Sequence, residues 1–205
     1  TVLVHLKLNS DNFEVFKCNK TRILGINMLN MFKLIKTMGN NDTLTLSLED
    51  ENESVLCIKI ENSEKNSVTN YKLNLMDLHE DNIEIPPAKF ESVITMPSVD
   101  FQKICRDMHN LADNIEIKSL DNQLIFNCNG HFASQETCIG EANTGISFLK
   151  NNNPEEIVQG VFALKHLVLF SKCTNLCNTI ELFLKNDYPL IIKYTVATLG
   201  EIKLC

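Results

Sequence analysis

The side chains in this sequence best suited to chemistry with a ligand are basic ones at helical spacing. Lys33 and Lys36 lie in MLNMFKLIKTM, Lys103 and Arg106 in DFQKICRDMHNLAD, and Lys165 and Lys172, seven residues apart, in FALKHLVLFSKC. Such spacings place side chains on one helix face. A single pair of this kind reads as ordinary solvated surface. The same arrangement in three places reads as a surface for phosphate, gripped through charge without any reading of base sequence.

Enzymatic readings find little support. There is no phosphate-binding glycine loop, no G-x-S-x-G elbow and no H-E-x-x-H helix. The histidines His5, His79, His109, His131 and His166 have no metal-ligand spacing among themselves, and His166 with Cys173 and Cys177 would lack a fourth ligand. Neither metal nor cofactor is expected. The eight cysteines show no C-x-x-C spacing and read as reduced, small core residues.

The chain has 205 residues and a formal charge of −7, which argues against a protein that coats nucleic acid over its whole surface. Charge is sorted by element instead. The acidic residues gather at turns and in a linker: Glu49, Asp50, Glu51 and Glu53; Glu61 and Glu64; Asp77, Glu80, Asp81 and Glu84. If the helices pack on one face of a continuous sheet, that face is positive and the remainder negative. No segment has the flanks of a signal peptide, and the longest apolar run, Val161 to Phe170, is broken by Lys165 and His166, so a soluble intracellular protein is expected.

The elements that must position these cations repeat. Each of three segments runs helix, polar turn, alternating strand, polar turn, strand, over roughly 35 residues. In the first, Met28, Met31, Phe32, Ile35 and Met38 are expected to face the core, with Asn30, Lys33 and Lys36 opposite. In the second, Ser98 is an expected N-cap, Phe101, Ile104, Cys105, Met108 and Leu111 form the core stripe, and Lys103, Arg106, Asp107 and Asn110 the polar one. In the third, Leu164, Leu167 and Val168 point inward and Lys165 and Lys172 share a face. Ahead of these, VLVHLKL and FEVFKC read as a hairpin, and the segment containing Pro86-Pro87 reads as a linker between two similar domains.

The stretch FKCNKTRILGINMLNMFKLIKTMGNNDTLTL resembles the signature region of the proliferating cell nuclear antigen family of DNA sliding clamps. Lys17-Cys18, Gly25-Ile26-Asn27 and Lys33-Leu34-Ile35-Lys36 carry the resemblance, with further matches at NYKLNLMDL, IPPAKFESVITMPSVDFQKICRDM, FALKHLVLFSKCT and DYPLIIKY. It is weakest between Gly130 and Val158. Against that family the chain is expected to lack a front segment with the first helix and a short tail after Cys205. Asp121 stands where many members have a modifiable lysine, which leans towards a divergent viral or protist member.

The resemblance implies an α+β DNA-clamp fold: two similar domains, each with antiparallel sheets and helices on one face, in a homotrimer closed head to tail. Residues 1–76 would be the remainder of the N-terminal domain, 77–92 the connector and 93–205 the C-terminal domain. Lys33, Lys36, Lys103, Arg106, Asn110, Lys165 and Lys172 would meet double-stranded DNA, and Tyr71 and Phe132 would mark the subunit contacts. Leu3, Ile83, Ile85, Pro86, Phe90, Pro189 and Cys205 would wall a pocket for a short motif of glutamine, an aliphatic residue and two aromatics. The implied partners are a DNA polymerase, a clamp loader and other carriers of that motif, in the nucleus or, for a virus, at a cytoplasmic replication site. Two other readings stand beside the homotrimeric processivity factor: a subunit of a hetero-oligomeric checkpoint-type clamp, and an enzyme with scattered catalytic residues.

Overall fold

The computed structural model describes residues 2–49, 52–78, 88–151 and 153–205. In chain order these form β1 (Val4–Leu8), α1 (Met28–Ile35), β2 (Thr43–Glu49), β3 (Asn52–Asn62), β4 (Ser67–Asn74), β5 (Ser92–Pro97) and α2 (Ser98–His109). There follow β6 (Asn114–Leu120), β7 (Gln123–Asn129), β8 (Ser134–Gly140), β9 (Ser147–Asn151), β10 (Val158–Ala163), α3 (Leu164–Phe170), β11 (Thr179–Leu184), β12 (Ile191–Val196) and β13 (Gly200–Leu204). They divide into two compact units, one of Lys17–Ile85 and one of Thr1–Phe16 with Pro86–Cys205.

In the unit Lys17–Ile85, β2, β3 and β4 form a three-stranded antiparallel sheet in sequence order. Asn27 starts α1: its side chain accepts a hydrogen bond from the Asn30 N–H, satisfying one of the free donors of the first turn. Past the helix, the Asp42 carboxylate accepts the Gly39 N–H at 2.8 Å and a bond from the Asn62 amide, fixing the turn into β2. These two bonds, the Gly39 one foremost, hold the Asp42 carboxyl below its ordinary range.

The core of this unit joins Met31 of α1 to Leu56, Ile58, Ile60 and Leu73, with Leu34, Ile35 and Met38 packed beside it. Residues 31, 34, 35 and 38 form one apolar stripe at helical spacing. The expected inward positions of Met28 and Phe32 are not met: they are 68% and 58% exposed. They lie on the neighbouring row of the helix, and an eight-residue helix on a three-stranded sheet buries only one row.

The other unit holds two antiparallel sheets, one in the order β1-β13-β12-β11-β5-β9 and one in the order β10-β6-β7-β8. Across the described residues there are thus three sheets, not one continuous one. A single apolar cluster draws on both sheets of this unit and on both its helices, with Ile94, Met96, Phe101, Met108, Ile117, Phe126, Leu164, Ile180 and Tyr194 at 0% exposure or within a percent of it. The α2 stripe of Phe101, Ile104, Cys105 and Met108 is buried as its spacing predicts, and Leu111 packs against it.

Ser98 differs from its expected role. Pro97 occupies the cap and Ser98 is the first helical residue, its hydroxyl within bonding distance of the Thr174, Cys177 and Asn178 carbonyls. A buried cluster of carbonyls needs a donor more than the first turn needs an acceptor. The third helix is also shorter than its apolar spacing suggests. After Phe170 it tightens into a 3₁₀ turn, Ser171–Leu176, as Ser171 and Thr174 donate to the carbonyls of Val168 and Ser171.

The expected opening hairpin does not form. β1 pairs instead with β13, bracketed by the reciprocal backbone bonds of Leu3 and Cys205 and by the Asn9 N–H to the Leu199 carbonyl. The approach is close at Gly200, where a Cβ would stand 1.9 Å from the Lys7 carbonyl oxygen. The Asn12 amide then donates to the Thr198 carbonyl and ties the chain to the β12–β13 turn, and the second arm, 13–18, makes no strand. The cysteines are all free, but only Cys105 and Cys128 are buried, while Cys18 and Cys138 are exposed. Burial pushes the Cys105 thiol up to about 12.

Candidate nucleic-acid interface

Every cation singled out by spacing is exposed: Lys33 and Lys36 at the end of α1, Lys103 and Arg106 on α2, Lys165 on α3 and Lys172 in the 3₁₀ turn that follows. Among the described residues none of the six forms an ion pair. Five lysines of the sheets behave differently, whereas Lys7 on β1 and Lys150 on β9 form no ion pair among the described residues. Lys59 pairs with Glu61, Lys72 with Glu49, Lys118 with Glu116, Lys203 with Glu201, and Lys193 with both Glu181 and Glu201. Arg22 is held by Glu53.

The difference follows from the two backbone periods. On a strand, residues two apart share a face, which joins Lys59 to Glu61, Lys118 to Glu116 and Lys203 to Glu201. Register joins Glu181 to Lys193 across β11 and β12. On a helix the partner must come three or four residues away. The α1 segment MLNMFKLI and the α3 segment LKHLVLF carry no acid. On α2, Asp100 stands three before Lys103 and Asp107 four after it, and both are exposed and make no ion pair among the described residues.

Within their unit α2 and the turn after α3 are locked together. The Gln102 amide donates to the Ser171 carbonyl at 2.7 Å, and the Ser98 hydroxyl to that of Cys177 at 2.6 Å. The bases on α2 and Lys172 therefore ride on one rigid pair. Asn110 is exposed at the C-cap of α2.

Tyr71 lies half-buried on β4, an edge strand of the three-stranded sheet, and Phe132, 78% exposed, sits in the turn leading into β8, an edge of the four-stranded one. Of the expected pocket walls, Leu3 and Cys205 are hydrogen-bonded neighbours, and Pro189 is exposed in the turn before β12. Phe90 packs edge-on against Phe183 at 5.3 Å and Tyr188 at 5.7 Å between ring centroids. Ile83, Ile85 and Pro86 lie outside the described residues.

Phe183 and Tyr188 were not legible as partners of Phe90. The only signal was alternation in β11, which turns Ile180, Leu182 and Leu184 inward and so sends Phe183 to the outer face. Lys193 stands over the Phe183 ring and Lys185 over that of Tyr188. No group of three metal-ligating side chains occurs among the described residues. No described helix is long and apolar enough to cross a membrane.

Antiparallel sheets carrying helices with exposed basic residues free of ion pairs recur in two compact units, an α+β architecture. The N-terminal domain model of proliferating cell nuclear antigen matches residues 1–83 and the C-terminal domain model residues 84–205. The chain belongs to the proliferating cell nuclear antigen family. It is 38% identical over 205 residues to a probable DNA polymerase sliding clamp 1 of Paramecium bursaria Chlorella virus 1, covering 98% of this chain and 77% of that protein. It is 33% identical over 202 residues to a probable DNA polymerase sliding clamp of Acanthamoeba polyphaga mimivirus, covering 97% of this chain but 43% of that protein's length.

Proposed function

We propose that this chain is a subunit of a DNA sliding clamp: a non-enzymatic processivity factor that encircles duplex DNA and tethers a polymerase to it. One observation carries the reading beyond family membership. The six helix cations are free of carboxylate partners, whereas five of the sheet lysines are paired. A free cation can release a phosphate's counterion on contact, but a paired one must first surrender its carboxylate.

On this reading Lys33, Lys36, Lys103, Arg106, Lys165 and Lys172, with Asn110, contact the phosphate backbone without reading sequence. Three copies associate head to tail through β4 with Tyr71 on one side and β8 with Phe132 on the other, which removes two open sheet edges. Residues 1–76 and 93–205 act as the two clamp domains and 77–92 as the connector. Leu3, Ile83, Ile85, Pro86, Phe90, Pro189 and Cys205 receive the glutamine-and-aromatic motif of a polymerase, a clamp loader or another client. The clamp acts by raising effective concentration, turning loss of a bound polymerase into sliding along the duplex. Its place of work is the nucleus or a cytoplasmic viral replication site.

The test replaces Lys33, Lys36, Lys103 and Arg106 by Ala. DNA-dependent stimulation of a polymerase should fall while thermal unfolding is unchanged, and undiminished stimulation would sink the assignment. The mass of the protein in solution, with and without a motif peptide, tests self-association. A monomer at micromolar concentration speaks against the homotrimer and for a clamp that needs other subunits.

A further inference from the structure

Among the described residues β10 is an edge of the four-stranded sheet, paired on one side only, with β6. Its sequence VQGVFA has no lysine and no proline, the residues that commonly guard an edge, and Val161 is 67% exposed. Such an edge invites a strand from another molecule. Near its start the invitation is already taken up from within the chain. The Asn186 carboxamide accepts the Gln159 N–H at 2.8 Å and donates to the Ile157 carbonyl at 2.9 Å. One side chain thus supplies the donor and acceptor that one residue of a parallel neighbouring strand would supply to the two residues flanking Val158.

The carboxamide is aimed by its own surroundings. The Asn186 backbone N–H donates to the Glu91 carboxylate at 3.2 Å, and the next residue, Asp187, has φ of 56°, so the β11–β12 turn is held in a tight left-handed bend. Only one orientation of the amide satisfies both bonds to β10, since swapping oxygen and nitrogen would oppose donor to donor and acceptor to acceptor.

We propose that Asn186 is an assembly-specificity residue: its carboxamide occupies the edge of β10 in place of a strand from another copy, and so confines strand-to-strand association to the chain's other edges. The assignment goes beyond the clamp reading and holds whatever the wild-type stoichiometry is. The wild-type mass in solution therefore reports on the clamp, and the change of mass on substitution reports on Asn186.

The experiment compares wild type, Asn186→Ala and Asn186→Ala with Val161→Lys by light scattering and by hydrogen exchange at the Gln159 amide. In Asn186→Ala species heavier than the wild-type assembly should appear, and in the fraction that keeps the wild-type mass the Gln159 amide should exchange about tenfold faster, the loss of one net hydrogen bond. Adding Val161→Lys, which places a charge on the open edge, should restore the wild-type mass while exchange stays fast. Where Asn186→Ala fails to fold, Asn186→Ser, too short to reach both groups, takes its place. Unchanged Gln159 protection in species of wild-type mass, fast exchange with no heavier species, or heavy species that Val161→Lys does not disperse would each overturn the proposal.

Discussion

Ser92 on β5 and Ser119 on β6 bring their hydroxyl oxygens to 3.1 Å, where the two residues are 0% and 2% exposed. β5 belongs to the six-stranded sheet and β6 to the four-stranded one, so this bond stitches the two sheets through an apolar core. Ser92→Ala should lower stability by ~1–3 kcal/mol, because the Ser119 hydroxyl is left buried without a partner. The double substitution to Ala should lie closer to wild type than either single one, as no orphan remains. Urea midpoints of the four proteins check it, and simple additivity of the two singles would contradict it.

Glycine is required at position 130 by contact. A Cβ there would stand 1.9 Å from the Leu111 carbonyl oxygen, so the β7–β8 turn lies directly against the end of α2. Gly130→Ala should cost roughly 1–3 kcal/mol through forced displacement of backbone. Gly39, whose added Cβ would meet nothing nearer than 3.6 Å, should accept Ala more readily. Thermal unfolding of the two variants gives the comparison.

The basic helix faces and the basic sheet faces should separate experimentally. Removing Lys103 or Lys172 should weaken DNA binding alike for all sequences and flatten its dependence on log salt by about one unit per cation. Removing Lys193, which bridges Glu181 and Glu201, should leave that slope unchanged. Titration of binding between low and physiological salt distinguishes them.

Acid should loosen the six-stranded sheet. The Glu201 carboxyl is held below its ordinary value of 4.5, first by its bond from Lys203 and then by the nearby charges of Lys203, Lys193 and Lys7. A group depressed in the folded state stabilises the fold above its unfolded pKa, and that contribution is lost as pH falls through the folded value. Stability should therefore be level above about pH 5 and decline below it, and Glu201→Gln should make the decline shallower. Denaturation midpoints across that range provide the test.

Much of the fold was legible because it is local. Thr43, Thr45 and Ser47 alternating with Leu44, Leu46 and Leu48 announced β2, and Phe101, Ile104, Cys105 and Met108 announced the buried face of α2. Periodicity reports which residues share a face, not what covers it, so Met28 and Phe32 were expected inside. The pairing of β1 with β13 joins opposite ends of the chain, and no local pattern encodes it. The basic positions were legible for the same reason the helices were, while the Phe90, Phe183 and Tyr188 group and the Asn186 clasp depend on contacts between distant segments.

The sorting of charge, bare on the helices and paired at five of the sheet lysines, sets two length scales for an approaching polyanion. At low salt, where the screening length reaches about 30 Å, DNA still some way from contact meets the net charge of −7 and is repelled. At contact it meets individual cations. Added salt should thus ease the approach of duplex while weakening the hold once contact is made, so encounter rate and residence time respond to ionic strength in opposite directions.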